Sequence, residues 1–209
     1  MAKDALNWQF LMMEEMGRGM VLEPLAQTLV CSGVIGAYGN ADLKAGWLPA
    51  MASGEKLVVL AHQERKARYR TDVCATVATA AGSGWTLNGT KNVVPAGDQA
   101  DAFVVPAMAN GQLALFVVER GAAGVSTRGH LTQDGARAAD VTLANSPATL
   151  ITPDGQAALE HAIDIGIAAL CAEAVGVMDQ TVAITVDYMN TRKQFGVAIA
   201  TFQALRHRV

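Results

Sequence analysis

The chain has 209 residues, 51% hydrophobic, 5% aromatic and 17% charged, enough apolar material for one large domain or two small ones and too much for a disordered tail. Against 19 acidic residues stand 16 basic ones, a net charge of -3, so there is no excess of Lys and Arg to neutralise a nucleic-acid backbone. Mean hydropathy is +0.24, yet no run approaches the roughly 20 uninterrupted apolar residues that a bilayer core requires, and no membrane span is expected.

Three cysteines, Cys31, Cys74 and Cys171, lie far apart among apolar neighbours, which indicates neither a disulfide framework nor a zinc cluster. The opening MAKDALNWQF reaches Asp4 without an apolar signal core, so a reducing cytoplasm is the expected location. Few aromatics, many alanines and 9 methionines suit closely packed helices partly covered by other subunits.

Residues 4 to 53 read as helical. Leu6, Phe10, Met13 and Met16 recur at helix spacing before the Gly17 to Gly19 interruption. A second helix runs from Pro24 to about Tyr38; Leu25, Leu29, Val30, Val34 and Ile35 leave it little polar surface, so burial is expected. Asn40 caps a third, through Trp47 and Met51, which Gly54 ends.

At Lys56 the texture changes to short runs rich in Val, Thr and Leu separated by Gly, Asn and Asp. Within GWTLNGTKNVV, Asn88-Gly89 between Trp85-Leu87 and Val93-Val94 predicts a hairpin with a type I′ turn. Further strands are expected at 73 to 80, 102 to 107, 112 to 119, 123 to 128 and 138 to 143. With no helical pattern between them, these argue for an antiparallel barrel or sandwich and against a doubly wound parallel sheet.

After Pro153 a stripe of Leu159, Ile163, Ile167, Leu170, Ala174 and Val177 predicts a helix to about Tyr188, on the order of 50 Å long. Gly166, Ala168, Ala169, Ala172 and Gly176 admit close neighbours, so this helix calls for a bundle. Ile199 to Val209 reads as the start of another helix that stops in mid-pattern, as though the chain were cut.

Familiar catalytic motifs are missing: there is no G-x-S-x-G, no G-x-x-x-x-G-K-[ST] and no H-E-x-x-H, and Gly82-Ser83-Gly84 has the wrong spacing for a dinucleotide turn. His62, His130, His161 and His207 fall on different elements, so surface or structural roles are expected and no metal is implied. Two segments hold more charge. Ala61-His62-Gln63-Glu64-Arg65-Lys66-Ala67-Arg68-Tyr69-Arg70 carries four cations after a buried strand; it suits a phosphate or an anionic flavin, while composition alone favours a solvated basic loop. Tyr188 to Gln203, YMNTRKQFGVAIATFQ, sets Arg192 and Lys193 at the end of the long helix, where complementing the helix dipole is a sufficient explanation.

Arg192-Lys193-Gln194-Phe195-Gly196, followed by Ile199, Phe202-Gln203 and His207-Arg208, resembles the R-x-x-F-G…(I)…(F/H)-Q stretch of acyl-CoA dehydrogenases. Residues 41 to 64, with Lys44, Trp47-Leu48-Pro49, Gly54-Glu55 and Ala61 to Glu64, resemble that family's passage from helical domain to first strand, so the likeness covers essentially the whole chain. Through AHQERKARYRTDVCATVA, RGHLTQDGARAADVTL and DIGIAALCAEAVG it is most similar to the branch holding the small subunit of pimeloyl-CoA dehydrogenase.

The resemblance implies an α+β fold: a partial helical domain over 1–55, a β domain over 56–152 and the beginning of a helical bundle over 153–209. It implies FAD-dependent α,β-dehydrogenation of an acyl-CoA thioester, an electron-transfer flavoprotein or similar acceptor, and a homo- or hetero-oligomer, with no nucleic-acid or membrane partner. Leu60, Ala61, His62, Gln63, Arg68, Tyr69, Val93 and Pro95 would face FAD, with Tyr69 and Asp164 near substrate. Arg192, Lys193, Gln194, Phe202 and Gln203 would meet the adenosine diphosphate part of a neighbouring subunit's FAD.

There are departures from the family pattern. Gln63 replaces a hydroxyl residue at the flavin, Val93-Val94-Pro95 replaces W-[IV]-[TS], and Arg68-Tyr69 replaces a Gly-Ser pair. The family's base is a Glu that falls beyond Val209, and its alternative position is Gly166, with Asp164 offset from it. The expectation is an internal portion of a longer polypeptide without the general base, or a non-catalytic half of a heteromer.

Overall fold

A computed structural model describes residues 2–82 and 84–209, with side chains from Trp8 onward, so Leu6 and Ser83 lie outside the described side chains. Three helices come first: α1 (Ala2–Gly19), α2 (Leu25–Tyr38) and α3 (Ala41–Ala52). Seven strands follow, β1 (Val58–Leu60), β2 (Val77–Ala81), β3 (Gly84–Pro95), β4 (Ala102–Ala109), β5 (Gln112–Glu119), β6 (Val125–Leu131) and β7 (Arg137–Thr152). The chain ends in α4 (Gly155–Thr191), a small hairpin of β8 (Lys193–Gln194) and β9 (Val197–Ala198), a 3-10 turn (Ile199–Thr201) and the one-turn α5 (Gln203–Arg206).

Two compact units emerge, residues 22–167 and residues 1–21 with 168–209. In the first, the strands close into a barrel, since β4 pairs with β2 and β5, β3 joins β2 to β7, and β7 returns to β5. β6 pairs with β7. Most pairings are antiparallel as expected, but β1 and β2 both run parallel to β4, at its opposite ends.

β1 reads as a continuous apolar run because both its faces are buried. Val58 and Leu60 join the cluster that α2, α3 and the first turns of α4 make against the barrel, with Cys31, Val34, Ile35, Ala158 and Ala162. Val59 and Ala61 face the barrel interior with Phe103, Phe116, Val141 and Leu143. The Asn40 Oδ1 accepts from Leu43 N at 2.9 Å and Gly54 closes α3 at φ +76°, both as the residue types predict.

The expected hairpin at Asn88-Gly89 does not form. β3 runs straight through it, and the chain reverses instead between Ala81 and Gly84, where Gly82 takes φ +60°. Gly89 serves close packing: a Cβ there would lie 2.4 Å from Thr76 Oγ1. Pairing with β2 on one side and β7 on the other outweighs the local turn propensity. β2 begins at Val77, later than expected, and β7 extends well past 143 because it pairs in turn with β3, β6 and β5.

In the second unit α1 and α4 cross tightly at glycines. A Cβ on Gly17 would fall 2.0 Å from Glu173 O, and one on Gly176 would fall 1.8 Å from Glu14 O. Arg18 bonds Glu14 at 3.1 Å and Asp179 at 3.2 Å across this crossing. The helix expected over Ile199 to Val209 is instead a 3-10 turn followed by one helical turn.

α4 has 37 residues, and its most apolar 18-residue window has a mean hydropathy of 1.6, long and apolar enough to cross a membrane by length and composition alone, although charges interrupt its apolar run as the sequence reading requires. Glu173 and Asp179 lie within its exposed apolar stretch, and each would cost about 3 kcal/mol at a bilayer centre. Carboxylates recurring along the helix fit a bundle position better than a lipid one.

Candidate functional site

β1 and β3 bring together two stretches far apart in sequence. Beyond Leu60 the chain stays extended, Ala61 N donating to Val104 O at 2.9 Å, and Asn92 N donates to Gln63 O at 2.8 Å. Leu60–Gln63 therefore lies beside Asn92–Pro95. Leu60 and Ala61 are buried, His62 and Gln63 half-buried, Val93 and Pro95 exposed. The result is an open strip whose outer surface is Gln63, Val93 and Pro95.

Val93 takes φ +50°, a conformation β-branched residues rarely adopt, at the place where β3 slips register against β7 between Lys91 and Val94. The slip turns Val94 inward and Val93 outward. Asp140 holds the distorted segment by accepting from Asn92 Nδ2 at 3.1 Å and Val93 N at 3.2 Å. Burial raises the pKa of Asp140, but the Asn92 and Val93 bonds and the charges of His130 and Arg65 lower it more, leaving it below the ordinary value.

Beneath the strip sits a charged pair that sequence reasoning missed. Lys91 is 0% exposed and Glu64 6%, and Lys91 Nζ donates to Glu64 Oε1 at 2.7 Å. The same carboxylate accepts from Thr76 Oγ1 at 2.7 Å, Thr76 N at 3.1 Å, Ala75 N at 2.7 Å and the Cys74 thiol at 3.5 Å. Burial pushes the Glu64 carboxyl up; the Lys91 ammonium, the Thr76 hydroxyl and the Ala75 N–H together outweigh it and hold the pKa at about 2. Cys74 is thus not among apolar neighbours, and burial raises its thiol pKa. The available signal was the alternation Leu87, Gly89, Lys91 on one face of a strand, which aims the lysine into the barrel.

His62 stays neutral around pH 7, because burial and the Lys91 charge both lower its pKa. Arg68 takes φ +52°, so the loop follows a path that favours glycine while carrying a guanidinium, and Tyr69 beside it is 91% exposed. Among the described residues Arg65, Lys66 and Arg68 have no carboxylate within ion-pair distance, whereas Arg70 is held by Asp72 at 2.5 Å. An open groove of about 540 Å³ adjoins the loop, lined by Arg65, Lys66, Asn92, Arg128 and Asp140 among others. None of Leu60, Ala61, His62, Gln63, Tyr69, Val93 and Pro95 lines it, so the groove neighbours the strip without containing it.

Elsewhere, Asp164 is exposed on α4. Two residues along a helix turn about 200°, and the Gly166 backbone faces Val30, 3.5 Å from where its Cβ would be. Asp164 therefore points away from that side, and the Gly166 position is left without a carboxylate.

In the other unit, β8 and β9 form a hairpin turned by Phe195 and Gly196, at φ +53° and +81°. Ile199 N donates to Arg192 O at 2.9 Å, fixing Arg192 at the hairpin base. Phe195 is 91% exposed and meets Phe202 edge-on at 6.1 Å. Arg192, Lys193, Gln194 and Gln203 are exposed alongside. Arg192 follows the last residue of α4, so it both complements the helix dipole and stays available to a ligand.

These features suit FAD. An open strip with two half-buried polar side chains, His62 and Gln63, making no side-chain hydrogen bond among the described residues, suits a ring with polar edges. The loop with uncompensated cations matches a pyrophosphate. Among the described residues no group of His, Cys, Asp and Glu could hold a metal ion.

Three family profiles match the chain in order: acyl-CoA dehydrogenase N-terminal domain over residues 6–55, middle domain over 60–145 and C-terminal domain over 154–209. Acyl-CoA dehydrogenase FadE27 of Mycobacterium tuberculosis is 25% identical over 96% of this chain and 53% of its own length. The short-chain specific acyl-CoA dehydrogenase of Clostridium acetobutylicum is 27% identical over 90% of this chain and 52% of its own. Among solved structures, a variant of the Tcur3481-Tcur3483 steroid ACAD superposes with a TM-score of 0.88 at 32% identity, covering 97% of this chain and 55% of that one. The ChsE4-ChsE5 complex from Mycobacterium tuberculosis superposes with a TM-score of 0.83 at 25% identity, covering 96% and 54%. The chain thus spans about half the length of the curated relatives it matches. With helical, β and helical segments matching in the family's own order, and the folds superposing over nearly all of the chain, this protein belongs to the acyl-CoA dehydrogenase family.

Proposed function

We propose that this chain supplies a flavin-facing surface in FAD-dependent dehydrogenation of an acyl-CoA thioester, as one component of a hetero-oligomer. The observation that carries the reading is the Asn92–Gln63 hydrogen bond that sets Leu60–Gln63 beside Asn92–Pro95, next to a loop whose Arg65, Lys66 and Arg68 have no ion-pair partner among the described residues. FAD, when bound, would supply the acceptor for the hydride leaving the substrate's β carbon. Gln63 and His62 would hydrogen-bond the ring edge, Val93 and Pro95 would cover its face, and Arg68 with the backbone of its loop would meet the pyrophosphate. Tyr69 would lie toward the acyl-CoA. Arg192, Lys193, Gln194, Phe202 and Gln203 would serve the adenosine diphosphate of a second subunit's cofactor.

Asp164 points away from the Gly166 side of α4, so we assign no general base to this chain; the α proton would go to a carboxylate outside it. Segments 1–55, 56–152 and 153–209 are proposed as portions of the three family domains. The likeness to the pimeloyl-CoA small-subunit branch, a cytoplasmic location and an electron-transfer flavoprotein as acceptor belong to the same reading.

A purified preparation that binds FAD stoichiometrically and is bleached by an acyl-CoA would refute the absence of a base. A second reading, a flavin-binding or structural subunit with no turnover of its own, is favoured by Pro95, which offers the ring neither an N–H nor a hydroxyl. Two-component names such as ChsE4-ChsE5 among the superposing structures accord with it. Co-expression with a full-length relative decides: activity that survives loss of FAD from this subunit supports the second reading, and activity that disappears with it supports the first.

A further inference from the structure

We infer that Lys91 and Glu64 are positioning residues for the flavin, a buried ion pair that sets where Gln63 and Val93 stand. The inference rests on the flavin reading above. Three separate stretches meet at the pair. Glu64 directly follows Gln63 in the loop leaving β1; Lys91 precedes the distorted Asn92-Val93 segment; Cys74, Ala75 and Thr76 lead into β2; and Gly89 brings β3 against Thr76 too closely to admit a Cβ.

Fixing one carboxylate with donors from the Cys74–Thr76 stretch and from Lys91 leaves the loop little freedom to slide along β3. The strip begins at the residues beside the pair: Gln63, next to Glu64, by its carbonyl, which accepts from Asn92 N at 2.8 Å, and Val93, two residues past Lys91, by its left-handed backbone. Arg65 N donates to Asn92 Oδ1 at 3.2 Å, closing the link on the other side of Glu64. A β-branched residue at positive φ persists only where its surroundings over-determine it. Here the surroundings are the Lys91 anchor on one side and the Asp140 bonds on the other. Lys91 is fully buried, and Glu64, 6% exposed, borders the neighbouring groove and is no part of the strip's outer surface, so their influence on a flavin at the strip passes through the backbone of Gln63 and Val93.

The test replaces the pair as a unit, Glu64→Gln with Lys91→Met, which removes both charges at nearly constant volume. FAD affinity is read by titration, and the visible bands of bound flavin are recorded at saturating FAD, well below the melting midpoint. The expected result is at least tenfold weaker binding and displaced bands, against unchanged values for Asn40→Ala, a destabilised control that loses the α3 cap far from the strip. Affinity and bands equal to the parent's, or an equal loss in Asn40→Ala, would overturn the inference and leave the pair a stability element. A parent chain that takes up no FAD would overturn the flavin reading and the inference with it, and the flat parent titration tells that outcome from the others. If the double variant does not fold, Thr76→Val, which deletes one donor to Glu64, decides by the same readouts: a smaller loss of affinity supports the inference and none overturns it.

Discussion

Neutralising Glu64 alone should be among the costliest single changes in the β domain. Glu64→Gln leaves the Lys91 ammonium wholly buried with no counter-charge, because its remaining neighbour is the Cys74 thiol at 3.7 Å. Breaking one side of a buried pair costs about 3 to 5 kcal/mol, or roughly 6 to 20 °C in melting midpoint for a chain of this size. The carboxyl pKa of about 2 in the fold lies below its unfolded value, so the pair's stabilisation is present above pH ~4.3 and disappears as pH falls toward 2. That depression corresponds to on the order of 3 kcal/mol, in line with the cost of the mutation. Urea unfolding of parent and variant at several values between pH 7 and pH 3 measures both effects. Their curves should converge as the parent's carboxyl protonates. A variant penalty under about 1 kcal/mol, or one that persists undiminished at the acid end, would show that the ion pair is not what holds this region.

Other consequences are simpler to read. Gly176→Ala should lower the melting midpoint by forcing α1 off α4, at about 1 to 3 kcal/mol, whereas Gly46→Ala, with nothing within 4 Å, should be neutral or slightly stabilising; equal effects would deny the tight crossing. Arg192→Ala should weaken FAD binding by about 30-fold, on the order of 2 kcal/mol, if the guanidinium meets a phosphate, and an unchanged titration with slightly lower helix stability would restrict it to the helix dipole. His62 has a lowered pKa, so it contributes stability above pH ~6.5 that is lost on acidification; in Lys91→Met its NMR titration should move up, and a fixed midpoint would contradict the coupling. Arg68→Gly should leave stability unchanged or raise it by up to about 1 kcal/mol, as judged by thermal melting, since the position already has φ +52°.

Much of the architecture could be read locally. Periodicity marked α2 and α4, Asn40 and Gly54 bounded α3, and the small residues of α4 announced a close crossing that Gly176 provides. The site was legible only as two charged segments, and their geometry was not. Nothing in the loop after β1 says that Gln63 will be bonded to Asn92, or that a bulge will turn Val93 outward. The same holds for Glu64, which reads as one more charge in a polar loop until a strand 27 residues later delivers Lys91 to it.

Residue order alone therefore determined the succession of helix, strand and helix and the kinship it carries, because both reside in short-range spacing and motif. Pairing partners decided the rest. Asn88-Gly89 would turn in isolation, but flanked by β2 and β7 it gains more from two ladders than from a tight bend. A lysine can enter a barrel only where folding also brings a carboxylate, and that meeting of distant residues exists in the tertiary structure alone.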